Sequence, residues 1–426
     1  MTRVWELPGD RYVVPGNRFD LLAGRWPAQP PTVSVVIPYY RRQRSLDLVL
    51  TGLAMQTHPP TRLEVLVADD GSPEPPCVAA LGRDRGVIVL RQPDRGFRAA
   101  AARNLGARAA SGELLCFLDG DTVPTPDYIR ELTRLPALVP DAVVTGHRRH
   151  ADLGGTTPEQ VRRWFSGSAD PPTEIPEPPW LASLHSGSAE LLHLDRHSYR
   201  AVISAVLGCP ARLFAEVGGF DETFTEYGGE DWELGYRLLN AGAVLAHEPR
   251  AVAWHDGADW GARQSGDPEA ARTAKDRETA ALARLIPGIR PPRPVSRYPV
   301  GGYPVDVVVR IDAPAAVAAE AAAAYAADPG LDCAVTPSSR APDTARCRNQ
   351  IWVTGTDELP GAGVLRELVD RVGPGRLGRA TVEVPGRWRA VAVSTAAAAR
   401  AERWSGRLDA DDLLAELFGA EESGGG

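Results

Sequence analysis

Along the first 260 residues the apolar positions switch between strand-like runs and helical spacing. Val33-Ser34-Val35-Val36-Ile37, stopped by Pro38, is a β-branched run that predicts a strand. Leu46, Val49, Leu50 and Leu53 recur at three- to four-residue spacing and predict a helix over 42–56. Strand signals return at 63–68, 87–90 and 114–118, and an alanine-rich helical stretch covers 96–110. The run Leu114-Leu115-Cys116-Phe117-Leu118 is apolar without a break, so it reads as a strand buried on both faces, mid-sheet. Strands alternating with helices predict an α/β fold with a mostly parallel, doubly wound sheet.

The pattern loosens over 147–195, where Pro171-Pro172, Pro176 and Pro178-Pro179 predict a long loop or flap. It resumes with a short strand at 206–209 and a helical turn or two at 211–217. Tyr227-Gly228-Gly229-Glu230-Asp231 then reads as a loop feeding a helix N-terminus, followed by strands at 244–247 and 251–254. Proline and glycine crowd 286–304 and mark a boundary. Beyond it, strand signals at 305–311, 333–335, 351–353, 380–384 and 390–393 mix with helical ones at 313–327, 364–372 and 411–418. The expected organisation is an N-terminal extension (1–31), a main domain (32–290), a smaller α/β domain (305–420) and a disordered tail (421–426).

Composition narrows the class. The 426 residues are 43% hydrophobic, enough for a sizeable core, and the net charge of -8 argues against nucleic acid as a partner. The five cysteines are scattered, without the paired spacing of a structural zinc site, and their odd number fits a reducing compartment. No apolar run approaches the ~20 residues a membrane helix needs. A cytoplasmic protein is expected; a weak association with a membrane surface, and the oligomeric state, stay open.

The candidate chemistry is acidic. Asp69-Asp70 and Asp119-Gly120-Asp121 each follow a predicted strand, and parallel strands end on one edge of their sheet, so both clusters are expected to face one cleft. Asp119 and Asp121 suit a hard divalent ion bridging a diphosphate, with Gly120 allowing close backbone approach. Glu230 and Asp231 begin a helix, where they could also serve simply as caps. Trp180, Trp232 and Trp260 could stack on a sugar face, Trp232 best because it adjoins Asp231. His147, His150, His185, His193 and His197 show no spacing that suggests a metal site, and Arg148-Arg149 reads as a solvated pair.

In this order, Pro38-Tyr39-Tyr40, Asp69-Asp70-Gly71-Ser72, Ala102-Arg103-Asn104-Leu105-Gly106 and Asp119-Gly120-Asp121 resemble the motifs of family 2 glycosyltransferases. Gly218-Gly219-Phe220-Asp221 and Gly228-Gly229-Glu230-Asp231 resemble the later part of galactosyltransferase-like and chondroitin-polymerase-like members. The resemblance covers 32–257. It implies a GT-A fold, a nucleotide-diphosphate sugar donor, UDP-linked by preference, and Mn²⁺ or Mg²⁺. It implies that Asp70 contacts the base in a pocket lined by Pro38 and Tyr39, that Asp119 lies near the ribose, and that Arg103 lies near the donor. Asp121 and His255 are implied metal ligands. Asp231 is the implied general base of an inverting transfer, and Glu230 the neighbouring acid that holds the acceptor, a saccharide, lipid-linked glycan or natural product. Two rivals stand beside this reading. A nucleotidyltransferase acting on sugar phosphates would carry a glycine-rich loop where Pro38-Tyr39-Tyr40-Arg41-Arg42 stands. A non-catalytic glycan-binding protein would not need Asp70, Asp121 and Asp231.

Overall fold

A computed structural model of the chain describes residues 3–78, 86–258, 268–289, 304–337, 346–410 and 412–424. Trp5–Leu7 (β1) and Arg11–Val13 (β2) pair as an antiparallel hairpin. The main sheet takes up Val33–Tyr39 (β3), Leu63–Asp69 (β4), Val87–Arg91 (β5), Leu114–Leu118 (β6), Thr122–Pro124 (β7), Ala142–Ala151 (β8), Glu174–Ile175 (β9), Val206–Pro210 (β10) and Val244–Asp256 (β11). Its order is β5-β4-β3-β6-β10-β8-β11-β7, with β9 on β8.

The first four strands are parallel, joined by crossover helices such as Gln43–Ala54 and Ala99–Ala109. From β10 the sheet is mixed. β10 runs antiparallel to β6 and β8, β11 runs parallel to β8, and β7 runs antiparallel to β11. The unbroken apolar run of β6 is explained by a core on each face. Leu114, Cys116 and Leu118 join Val33, Val35 and Ile37 on one side, while Leu115 and Phe117 join Val36 on the other. Phe117 packs 4.9 Å from Phe214 and edge-on, 5.2 Å, from Phe220. Each such buried side chain contributes about 1.5–3 kcal/mol.

Residues 147–195 are more ordered than their prolines suggest. They complete β8 and carry a helix at Pro158–Phe165, capped by Thr157 and Gln160, and another at Pro179–Gly187, where proline takes the first helical position.

The C-terminal sheet comprises Val307–Asp312 (β12), Cys333–Pro337 (β13), Asn349–Gly355 (β14), Arg379–Val384 (β15), Trp388–Ser394 (β16) and Ala420–Gly424 (β17), in the order β13-β12-β14-β16-β15-β17. Residues 420–424 pair in parallel with β15, so the described part of the expected disordered tail is an edge strand. Backbone hydrogen bonds hold it without help from apolar side chains. The N-terminal segment is no loose extension either: Trp5 and Val13 cluster with Trp404 and Leu417. The C-terminal helix Thr395–Trp404 returns to the main domain, where Arg400 pairs with Asp141 at 2.7 Å and Trp404 donates to the same carboxylate at 2.9 Å. No described helix is long and apolar enough to cross a membrane.

Candidate active site

A cleft of about 370 Å³ opens at the carboxyl edge of β3, β4 and β6. Pro38 and Tyr39 come from the end of β3, Asp70 from the turn after β4, and Asp119 and Asp121 from the turn after β6. Parallel pairing sets this common edge, with Tyr39 opposite Asp69. Arg103 projects from the helix Ala99–Ala109, and Glu230 and Asp231 begin the helix Glu230–Asn240; all three line the same cleft. Eight of the ten residues singled out in the sequence thus converge here.

Asp70 accepts from Gln92 Nε2 at 2.6 Å and from the Arg98 N–H at 2.9 Å, and burial pushes its carboxyl up. Its neighbour Asp69 is fully buried and accepts the Ser72 N–H at 2.9 Å, which fixes the turn. A Cβ at Gly120 would lie 3.0 Å from the Pro38 carbonyl, the close approach its motif requires. Gly228 and Gly229 both have positive φ, 96° and 95°, and a Cβ at Gly229 would meet Phe224 at 2.7 Å. That pair turns the chain into the helix and aims Glu230 and Asp231 into the cleft.

Arg103 is the link between the two halves of the site. Its Nη2 lies 2.7 Å from Asp119 Oδ1 and its Nη1 lies 3.1 Å from Glu230 Oε1. Burial pushes the Glu230 carboxyl up, helped by Asp231 and opposed by Arg103; burial likewise raises Asp231, again opposed by Arg103. Oε2 of Glu230 and Oδ1 of Asp231 have no hydrogen-bond partner among the described residues. Buried carboxylate oxygens in that state fit a donor supplied by a ligand.

The two remaining residues lie just outside the cleft wall. β11 pairs with β7 and brings His255 opposite Thr122, with His255 Nε2 3.7 Å from Asp121 Oδ1. His255 Nδ1 lies 3.0 Å from the Gly257 carbonyl, which can only accept, so in the neutral ring Nε2 presents its lone pair to the carboxylate. Two electron-rich atoms facing each other, with the imidazole fixed by a backbone carbonyl, fit a divalent cation. Asp121 also meets Arg42 Nη1 at 3.3 Å. Trp232 does not line the cleft and packs edge-on to Trp180, centroids 6.2 Å apart, with Arg200 and Lys275 over its ring. Trp260 lies outside the described residues.

Several cleft residues were not among those singled out: Tyr40, Arg42, Phe97, Arg148 and Tyr227. Arg148-Arg149 is not the solvated pair expected. Neighbours on a strand point to opposite faces, and β8 sends Arg148 to the cleft while Arg149 stacks over Trp254, 4.4 Å from its centroid, and pairs with Glu174. That alternation was the available signal.

The helix carrying Glu230 and Asp231 is also held from behind. Glu233, fully buried, accepts from Arg237 Nε at 2.8 Å and pairs with Arg346 of the C-terminal region at 2.9 Å. Tyr236 donates to the Arg346 carbonyl at 2.8 Å.

Residues 34–190 match the family described as glycosyl transferase family 2, and residues 188–250 match the N-terminal domain of galactosyltransferase. Residues 34–190 of the chain thus resemble the family 2 glycosyltransferases. Validoxylamine A glucosyltransferase of Streptomyces hygroscopicus subsp. limoneus is 37% identical over 221 residues, covering 49% of this chain and 48% of that protein. Chondroitin synthase of Escherichia coli is 30% identical over 241 residues, covering 52% of this chain and 34% of that protein. Pre-mycofactocin glycosyltransferase of Mycobacterium tuberculosis is 31% identical over 238 residues, covering 55% and 45%. The chain spans about half the length, or less, of these curated relatives. Among solved structures, a mannosyltransferase of Pyrobaculum calidifontis is similar at a TM-score of 0.40 and 18% identity, over 62% of this chain and 68% of that one.

Proposed function

We propose that this protein transfers a sugar, with inversion, from a nucleotide-diphosphate sugar to a hydroxyl of a saccharide, lipid-linked glycan or natural product. The observation that carries the reading is the convergence of Asp70, Asp119, Asp121, Arg103, Glu230 and Asp231 on one cleft, with orphaned oxygens on the last two. The relatives, all glycosyltransferases or synthases of sugar polymers by name, support the same class.

In this reading the nucleoside occupies the cleft between Pro38, Tyr39 and Asp70, where a carboxylate and a largely buried aromatic ring suit a base. Asp119, held by Arg103, faces the ribose. Asp121 and His255 would hold Mn²⁺ or Mg²⁺, which when bound neutralises charge that develops on the diphosphate as it leaves. Arg42, next to Asp121, adds a fixed positive charge on the same side.

Asp231 takes the proton of the acceptor hydroxyl as that oxygen attacks the sugar from the face opposite the diphosphate. Its carboxyl, raised by burial against the opposing pull of Arg103, is a better base than an exposed one. Glu230 shares Arg103 and holds the acceptor. Trp232 serves as a wall behind Asp231 rather than a stacking platform in the cleft.

The test is release of nucleoside diphosphate from a panel of UDP-, GDP- and dTDP-sugars, with and without acceptor mixtures. Asp231→Asn should lose transfer by about 10²–10⁴-fold while still binding donor. Transfer near the wild-type rate in that variant contradicts the assignment of the base.

A further inference from the structure

The helix Pro179–Gly187 ends in a reversal where Ala189, Glu190 and Leu191 all have positive φ, 50°, 57° and 71°. Such residues rarely adopt this conformation, and three in succession press Glu190 against β11. There the Glu190 carbonyl accepts the His247 N–H at 3.1 Å, and the Glu190 carboxylate meets His247 Nδ1. His185, from the last turn of the helix, stacks on His247 with centroids 3.6 Å apart and planes within 9°. Both imidazoles are only 6% exposed, and Nε2 of each has no hydrogen-bond partner among the described residues. Two buried rings face to face cannot both carry a proton's charge without strong repulsion. An electron-pair acceptor would satisfy them.

One ligand atom each from His185, Glu190 and His247 lie within 4.8 Å of one another, the one such group found among the described residues. We propose that His185, Glu190 and His247 form a transition-metal site, with zinc as the favoured ion and a fourth position open to water. Two imidazoles and a carboxylate are a ligand set zinc accepts, whereas Mg²⁺ prefers oxygen alone. A tetrahedral ion with bonds of about 2.1 Å needs its ligand atoms roughly 3.4 Å apart with their lone pairs converging, so the two stacked rings must swing apart and the Glu190 carboxylate must draw back from His247 Nδ1 to admit it.

This site is separate from the donor cleft. None of the three residues lines that cleft, and His247 precedes His255 by 8 positions on β11 (255 − 247). The site would clamp the helix Pro179–Gly187 to the sheet. That helix begins with Pro179 and Trp180, and Trp180 meets Trp232 beside Asp231. The clamp therefore positions the acceptor side of the active site. Sequence spacing does not reveal the set, because His185 and His247 come from separate elements that only the fold stacks together.

The test uses the full chain stripped with a chelator and titrated with Co²⁺ or Zn²⁺ alone. Asp121→Ala, which removes a proposed ligand of the donor site, should still bind one equivalent of Co²⁺ with the absorption of a four-coordinate site, displaced by Zn²⁺. His185→Gln and Glu190→Gln should weaken that binding at least tenfold. Glu190→Gln retains an acceptor for His247, so a loss there with unchanged circular dichroism is not unfolding. Absence of Co²⁺ and Zn²⁺ uptake by Asp121→Ala at micromolar metal overturns the proposal, as does parent-like affinity in folded Glu190→Gln and His185→Gln.

Discussion

Nη1 of Arg103 lies 3.1 Å from Oε1 of Glu230. Through this contact the helix Ala99–Ala109 opposes the upward shift that burial gives the acid pair at the start of the helix Glu230–Asn240, while Arg103 Nη2 holds Asp119 at 2.7 Å. Replacing Arg103 by Ala should therefore damage both halves at once. The expected loss in kcat/KM is about 10²–10³-fold, since a buried guanidinium with two carboxylate partners leaves both uncompensated. Steady-state kinetics separates this from a simple binding defect, which would raise KM alone.

The pH profile should show the same link. Burial raises Glu230 and Asp231, so transfer should fall on the acid side from a higher pH than the ~4 of an exposed carboxylate. Arg103 lowers both groups, so a residual activity in Arg103→Ala should have its acid limb shifted further up. A limb that stays in place would detach Arg103 from the base.

Stability carries a related sign. The folded Glu230 carboxyl lies above its unfolded value, so the folded state binds more protons in that window and loses stability as pH rises through it. Relative to Glu230→Gln, the wild type should therefore lose about 2 °C or more in Tm between pH 5 and pH 8. Calorimetry at the two pH values checks it.

One contact between the two regions is a buried ion pair. Arg400 and Asp141 are 1% and 0% exposed in their side chains, with Trp404 as the further donor to Asp141. Arg400→Ala leaves the buried Asp141 carboxylate with Trp404 and the more distant Arg403, 4.0 Å away, and should cost about 3 kcal/mol, read as a lower midpoint in urea. Arg400→Lys should recover only part of it, because an ammonium cannot fork across both oxygens.

What could be read from the sequence was what local pattern determines. The strands through Leu118 follow from β-branched and apolar runs. The meeting of Asp70 with Asp119 and Asp121 follows from parallel strands ending on one edge. The paired glycines before Glu230 announced the turn that the positive φ values at Gly228 and Gly229 require. Other features depend on tertiary placement. Arg148 enters the cleft because β8 extends through a stretch that its prolines made look irregular. Residues 420–424 become a strand because β15 offers an unpaired edge, which composition cannot reveal. Arg346 braces Glu233 across a chain separation of more than 100 residues, and no spacing encodes that contact.

The most direct measurement is thermal stability against UDP, GDP, dTDP and their relatives, each with and without Mn²⁺, for the wild type and Asp121→Ala. A nucleotide at 100 times its dissociation constant adds about 2.7 kcal/mol. The account predicts a clear rise in Tm with one nucleoside diphosphate that requires the metal and disappears in Asp121→Ala. No rise with any nucleotide, with or without metal, would contradict it and point to a glycan-binding protein on the same fold.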